Sequence, residues 1–401
     1  MTKRLTRGEI CFFTAYAVWL LSAVINLTYL KELIPSFKQI NGFIADVVLL
    51  ILLIKFLEDE TYEKKALLGL VLLGILFYVS RRSNAESIMM VFYFIYSARN
   101  IDFADILKIS IGVQLLVMIT AVAASLLGII PNEIWHEMYR VRYSLGYTYC
   151  TYGSHVFLFL TLMYIALRKR LGLVEAAGLL AGNYIWFLIT DTRIDLLLSV
   201  PAVLFAYIWE HGQKEMKNGF WEKMCFVWSG PFIAAIMIFA HVFYNPENPV
   251  WNQLNNRLNN RLILGKSAIE QYGITLFGQY IKWVGRGGLK KHPDWIYNYV
   301  DSSYLKYLLN YGVFFLVALL AGIVLAGRYL VGKEKKKGYC VAFLFWLLYG
   351  AMDAELFVLS FQPFILLCGL GFRETVYEQQ REDKKANRKK WETGHRKWRF
   401  Q

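Results

Sequence analysis

The chain has 401 residues, of which 57% are hydrophobic, 16% aromatic and only 18% charged, with a formal net charge of +14. A water-soluble globular domain rarely reaches that balance, so the composition excludes a soluble enzyme or binding module and points to a protein that crosses a membrane many times. The basic surplus suits an anionic lipid surface, and nucleic acid is a poor partner for a membrane-bound chain.

Apolar runs long enough to cross a bilayer, or nearly so, recur about twelve times, given the roughly 17 to 25 residues a crossing needs. The first covers 9 to 30; it is long and lacks a small-residue cleavage site, so it reads as a retained helix. Runs at 41 to 57, 65 to 80 and 84 to 98 follow, with Arg81 and Arg82 interrupting what otherwise reads as one hairpin, and then a run at 107 to 130. After a polar loop come runs at 148 to 167, 171 to 190, 194 to 209 and 223 to 243. A long polar stretch, about 244 to 302, precedes the runs at 303 to 327, 338 to 353 and 355 to 373. This makes an all-α, polytopic transmembrane bundle over 1–373, ending in a basic tail, 374–401, where Trp391, Trp398 and Phe400 alternate with Lys and Arg. The five cysteines lie in or beside apolar runs without motif spacing and suggest neither disulfides nor a metal site.

Lys and Arg collect on cytoplasmic loops. The basic N-terminus, "RKR" at 168 to 170, Lys214 to Lys223, "GKEKKK" at 332 to 337 and the tail all vote for the inside, so both termini are expected in the cytoplasm. The other face then carries Arg140, Arg142, Arg193, Arg257, Arg261 and Arg286, against the usual bias. Long loops translocate regardless of charge, which accounts for Arg257, Arg261 and Arg286. Arg193 opens an apolar helix between Asp191 and Asp195, where an ionisable group is either functional or locally salt-bridged.

"NNRLNNRL", 255 to 262, sets the same four residues twice. If helical, it stacks Arg257 over Arg261, with Asn255 and Asn259 beside them, and an anion between the two cations offsets their repulsion. The alternative is an amphipathic helix lying on the outer surface with its leucines buried. "YRVRYSLGYTY", 139 to 149, places Arg140 and Arg142 before a helix, and Gly146 permits close backbone approach. "VDSSYLKYLLNYG", 300 to 312, sets Asp301 and Tyr304 at the outer end of the next helix; Asp301 can cap that helix, act as a general base toward a hydroxyl, or do both. His136, His155, His241 and His292 are scattered without ligand spacing, so no metal is expected. Phosphate-binding, dinucleotide-binding and nucleophile-elbow motifs are absent from the sequence.

The ordered set "RYSLG", "TDTR", "LNNRLILGKSAIEQYGITLFG" and "VDSSYLKYLLNYG" resembles the Wzy-type repeat-unit polymerases of the O-antigen polymerase and ligase superfamily, over about 40 to 370. The resemblance implies a GT-C-like bundle with a large extracytoplasmic loop in the bacterial cytoplasmic membrane. It implies inverting, metal-independent transfer of a growing glycan from undecaprenyl diphosphate to a lipid-linked repeat unit, without a cofactor. By position, Arg142, Arg193 and Arg261 match the family's outer-face arginines, and Asp301 becomes the candidate base. Arg140, Arg257, Asn259, Arg286 and Tyr304 join them as substrate-binding candidates, and Trp251, Trp283 and Trp295 as candidates to stack on sugars. The lipid bilayer, a chain-length regulator and a flippase are the implied partners.

Two departures bear on this. The family often has a His-Pro-Asn run after "SLG", where this chain has Tyr147, Thr148 and Tyr149. Ligases of the superfamily carry a histidine just before the "YL" of the post-loop helix, where this chain reads Asp301, Ser302, Ser303, which favours polymerase over ligase. A ligase, and a flippase or other transporter, are the competing readings.

Overall fold

The computed structural model describes residues 5–58, 64–137, 140–212, 220–334 and 337–373. The tail at 374–401 and the loop at 213–219 therefore lie outside the described residues. The chain is helical almost throughout. Five helices come first: α1 (Arg7–Asn26), α2 (Phe37–Glu58), α3 (Lys64–Ser83), α4 (Ser87–Ser97) and α5 (Phe103–Leu126). A short antiparallel hairpin, β1 (Ile134–Glu137) and β2 (Arg140–Tyr143), follows. Next are α6 (Tyr152–Leu167), α7 (Leu173–Thr190), α8 (Arg193–His211), α9 (Phe220–Val227) and α10 (Ser229–Val242). The polar stretch holds α11 (Pro249–Arg257), α12 (Arg261–Tyr272) and α13 (Arg286–Lys291), before α14 (Ser303–Tyr329), α15 (Lys337–Met352) and a 3-10 segment, Phe364–Phe372.

Among the described residues, six helices are long and apolar enough to cross a membrane: α1, α2, α5, α7, α8 and the stretch Ser303–Gly332 that begins with α14. Three shorter apolar helices, α6, α10 and α15, accompany them. Leu50, Leu53 and Leu57 on α2, Leu116 and Ile119 on α5, and Ile185 and Leu188 on α7 are all more than half exposed. A water-facing surface does not carry such continuous apolar faces; a hydrocarbon-facing one does. In contrast, α6 and α15 are buried along most of their length and pack on α8 and on each other at the centre.

Two expected elements differ. The run at 355 to 373 is not one helix: turns lead to Pro363, Gln362 caps the 3-10 segment by accepting from the Phe364 amide at 2.7 Å, and helix begins only there. Most of this stretch is buried, where irregular backbone can satisfy its polar groups against protein. Second, α14 is interrupted at Gly312, whose φ of 87° only glycine adopts readily. The break lets the segment 275–279 pair with it: Val313 donates to the Thr275 carbonyl and Phe314 to that of Leu276, both at 3.0 Å, and Gln279 donates to the Asn310 carbonyl at 2.9 Å. The "YGITLFG" motif is thus the strap that ties the polar stretch to α14.

Candidate functional site

The starts of α6, α8 and α14 meet the ends of α7 and α15 at one end of the bundle, and a cavity of about 520 Å³ opens there. It is lined by Arg140 and Arg142 from β2, Arg193 from α8, Arg261 from α12 and Arg286 from α13, so five arginines come from four separate stretches of chain. Asp191, Asp301, Asp353, Glu355 and His155 share the lining, with Asn259 and the tyrosines Tyr149, Tyr152, Tyr297 and Tyr299.

β2 explains the first pair. Side chains on a strand alternate between faces, so residues two apart share one. Arg140 and Arg142 face the cavity, while Val141 and Tyr143 are exposed on the other side. The strand ends in "SLG", where Gly146, at φ 83°, passes so close to α5 that a Cβ there would meet the Ala121 carbonyl oxygen at 2.6 Å. Arg142 is 5% exposed and held by the "TDT" turn: its Nε donates to the Thr190 carbonyl at 2.6 Å and its Nη2 to Thr192 Oγ1 at 3.3 Å.

In the same turn Asp191 takes the left-handed conformation, φ 43°, and ends α7. Its carboxylate lies 3.3 Å from Arg140 and 3.4 Å from Arg193, so one acid holds two arginines. Arg193 is therefore locally salt-bridged and also lines the cavity, with a side chain 73% exposed.

The doubled "NNRL" is not one helix. Asn259 and Asn260 both have positive φ, 52° and 62°, which asparagine tolerates better than most residues. Arg257 closes α11 and Arg261 opens α12, so the two are not stacked on one face, and Arg257 does not line the cavity. Asn255 is buried and structural: its Oδ1 accepts from the Ile263 amide at 3.1 Å and its Nδ2 donates to Asn260 Oδ1 at 3.0 Å. That turn delivers Arg261, whose Nε lies 2.9 Å from Asp301 Oδ2 and whose Nη1 donates to the Met352 carbonyl.

Asp301 pairs with Arg261; Ser302 is the N-cap residue of α14. Tyr304 is fully buried, donates to the Leu347 carbonyl at 2.9 Å, and does not line the cavity. The neighbouring Ser303 and Tyr307, one helical turn apart, clamp the loop after α15. Ser303 Oγ donates to the Asp353 carbonyl at 2.6 Å and accepts from the Leu356 amide at 3.1 Å. Tyr307 donates to the Ala354 carbonyl at 3.1 Å and accepts from the Phe357 amide at 2.8 Å. The clamped residues hold Asp353 and Glu355 at the cavity wall.

Neither carboxylate was singled out in the sequence, nor was His155 given a role. Asp353 and Glu355 are the sole carboxylates between Glu334 and Glu374, a usable signal in a run otherwise apolar. His155 is buried, with its Nδ1 3.0 Å from both Asp195 oxygens and its Nε2 3.7 Å from Asp353 Oδ2. Burial pushes the Asp353 carboxyl up to about 7; His155 and Arg261 oppose the shift, while Glu355 and Asp301 add to it. Burial also raises the Asp301 carboxyl, against the pull of Arg261, Lys306 and Arg286. No group of three or more His, Cys, Asp or Glu side chains among the described residues is arranged to hold a metal ion.

Comparison with known protein families, with curated proteins and with solved structures gives no match for this chain.

Proposed function

We propose that the chain is a polysaccharide polymerase that transfers a growing glycan from undecaprenyl diphosphate to a lipid-linked repeat unit at the outer face of the bacterial cytoplasmic membrane. The observation that carries the reading is the convergence of five guanidinium groups from four chain segments on one cavity. When an acceptor hydroxyl attacks the anomeric carbon, the departing diphosphate gains negative charge. Held arginines, Arg142 and Arg261 foremost, supply a field that stabilises that charge without reorganising, each donor worth roughly 2.7 to 4 kcal/mol. Arginine suits phosphate oxygens because its planar fork donates along two lines at once.

The position of the cavity supports the outer face. The opposite end of the bundle carries Arg168, Lys169 and Arg170 between α6 and α7, Arg328 at the end of α14 and Lys337 at the start of α15. Basic residues favour the cytoplasmic end, a bias that supports an outer position for the cavity. The proposal includes about twelve crossings, cytoplasmic termini, the outer loop at about 244 to 302 and inverting, metal-independent transfer. A chain-length regulator and a flippase are its proposed partners.

Deletion of the gene tests the proposal. Loss of a polymerase leaves single repeats on the carrier or the cell surface, loss of a ligase strands long chains on the carrier, and loss of a flippase strands single repeats on the inner leaflet. Long chains stranded on the lipid, or repeats trapped inside, would overturn it.

A further inference from the structure

We propose that Asp353 is the general base that takes the acceptor's proton, with the buried His155–Asp195 pair positioning it, and that Asp301 serves to orient Arg261. This rests on the transfer reaction proposed above. Of the carboxylates in the cavity wall, Asp191 and Asp301 are bound to arginines at 3.3 to 3.4 Å and 2.9 Å. A guanidinium beside a carboxylate pulls its proton affinity down, at Asp301 against the rise from burial, and occupies an oxygen that a base would need. Asp353 instead has His155 Nε2 3.7 Å away, beyond hydrogen-bond distance, and its side chain is 22% exposed where the cavity opens.

The geometry behind Asp353 is that of an oriented base. His155 and Asp195 are 4% and 2% exposed, and both carboxylate oxygens of Asp195 sit 3.0 Å from Nδ1. That contact fixes the ring, with Nδ1 toward Asp195 and Nε2 toward Asp353. The third member of such a chain sets the geometry of the first two. Asp353 is further fixed through its backbone, its amide donating to the Tyr349 carbonyl at 2.9 Å and its carbonyl accepting from Ser303. Glu355 shares the wall, and no ion pair is formed between it and a histidine among the described residues.

In the step itself, the acceptor hydroxyl gives its proton to the Asp353 carboxylate as its oxygen bonds to the anomeric carbon. The bond from that carbon to the diphosphate oxygen breaks, and the electron pair leaves with the diphosphate, among the arginines. Neutral Asp353 then releases the proton to water. A carboxyl pushed up to about 7 by burial has a proton affinity matched to this task. The charged groups that set it are His155 from α6, Asp195 from α8, Arg261 from α12, Lys306 from α14, Asp301 and Glu355.

The test uses the full chain in liposomes with undecaprenyl-diphosphate-linked repeat units extracted from cells lacking the gene. Asp353→Asn is expected to lower kcat about 100- to 10,000-fold with little change in KM. Formate should restore turnover to Asp353→Ala, which separates a missing base from a misfolded site. Wild-type turnover should fall as pH drops through about 7, and His155→Gln should move that limb. Asp301→Asn should raise KM and keep the limb, displaced to slightly lower pH because Asp301 adds to the Asp353 shift. Turnover by Asp353→Asn within about tenfold of wild type, or no formate rescue in a variant that melts normally, would overturn the assignment. If Arg142→Lys and Arg261→Lys abolish polymer while Asp353→Asn does not, the base alone is wrong. If the wild-type chain makes no polymer from these units, the transferase reading falls, and the base with it.

Discussion

Replacing Arg261 with lysine keeps the charge and removes the fork, which isolates the feature that the proposed diphosphate clamp needs. In the structure the guanidinium works in two directions, with Nε 2.9 Å from Asp301 and Nη1 on the Met352 carbonyl. An ammonium at the end of a flexible stem can meet one of these partners but not both while also facing the cavity. Losing one donor to developing phosphate charge costs about 2.7 to 4 kcal/mol in the transition state, or roughly 100- to 1000-fold in kcat. The side chains of Arg261 and Asp301 are 26% and 25% exposed, so solvent screens part of the field, and the lower end, about 100-fold, is the expected loss. The folding cost is smaller: one hydrogen bond to a backbone carbonyl, about 1 kcal/mol. Membranes should therefore hold Arg261→Lys at near wild-type amounts while the polymer ladder collapses to one or two repeats. Gel analysis of the glycan beside an immunoblot of the membrane fraction reads both quantities. Long ladders from Arg261→Lys at normal protein levels would refute the clamp.

Arg257 ends α11 outside the cavity, so Arg257→Ala should leave ladder length and turnover within about twofold, the scatter expected of a surface substitution. Gly312→Ala should lower the melting temperature in detergent and the amount in the membrane, since a Cβ there would meet the Gly278 nitrogen at 2.4 Å and the Leu276 carbonyl oxygen at 2.5 Å. Arg193, with a side chain 73% exposed, should act in capture: Arg193→Ala raises KM, and the effect shrinks as salt is added. Arg142, 5% exposed, should act in the chemical step: Arg142→Lys lowers kcat by an amount that salt does not change. Polymer formation from lipid-linked repeats should survive EDTA; its loss, with recovery on adding a divalent cation, would disprove metal-independent transfer.

The arginines are legible because the charge pattern of the loops places them against the usual bias. What they contact was less so. The four-residue spacing of "NNRLNNRL" mimics helical stacking, and only the readiness of Asn259 and Asn260 to turn left-handed breaks it. The alternation in "RVRY" was present in the sequence, but four residues of strand beside long apolar helices carry little weight. "DSSYLKY" points to Asp301 and Tyr304, whereas Ser303 and Tyr307 hold the loop of the cavity wall. His155 looked isolated because its carboxylate partner Asp195 is 40 residues away and on another helix. The last apolar run read as a crossing on length and hydropathy alone; neither measure registers Gln362 capping a helix that starts at Phe364.

Five arginines in one small space repel one another, and partial burial makes the repulsion worse. The carboxylates in the wall offset that cost. They do so unevenly: Asp191 spreads its charge over Arg140 and Arg193 at 3.3 and 3.4 Å, longer than a strong charge-assisted hydrogen bond, whereas Asp301 grips Arg261 at 2.9 Å. A guanidinium has five N–H donors, so one long contact engages only part of the fork on Arg193. On the proposed reading, a diphosphate reaching the cavity draws most easily on the exposed Arg193, and meets Arg142 and Arg261 already held. The acids in the wall therefore also grade its arginines, from the exposed Arg193 to Arg142 and Arg261, fixed where the proposed reaction develops charge.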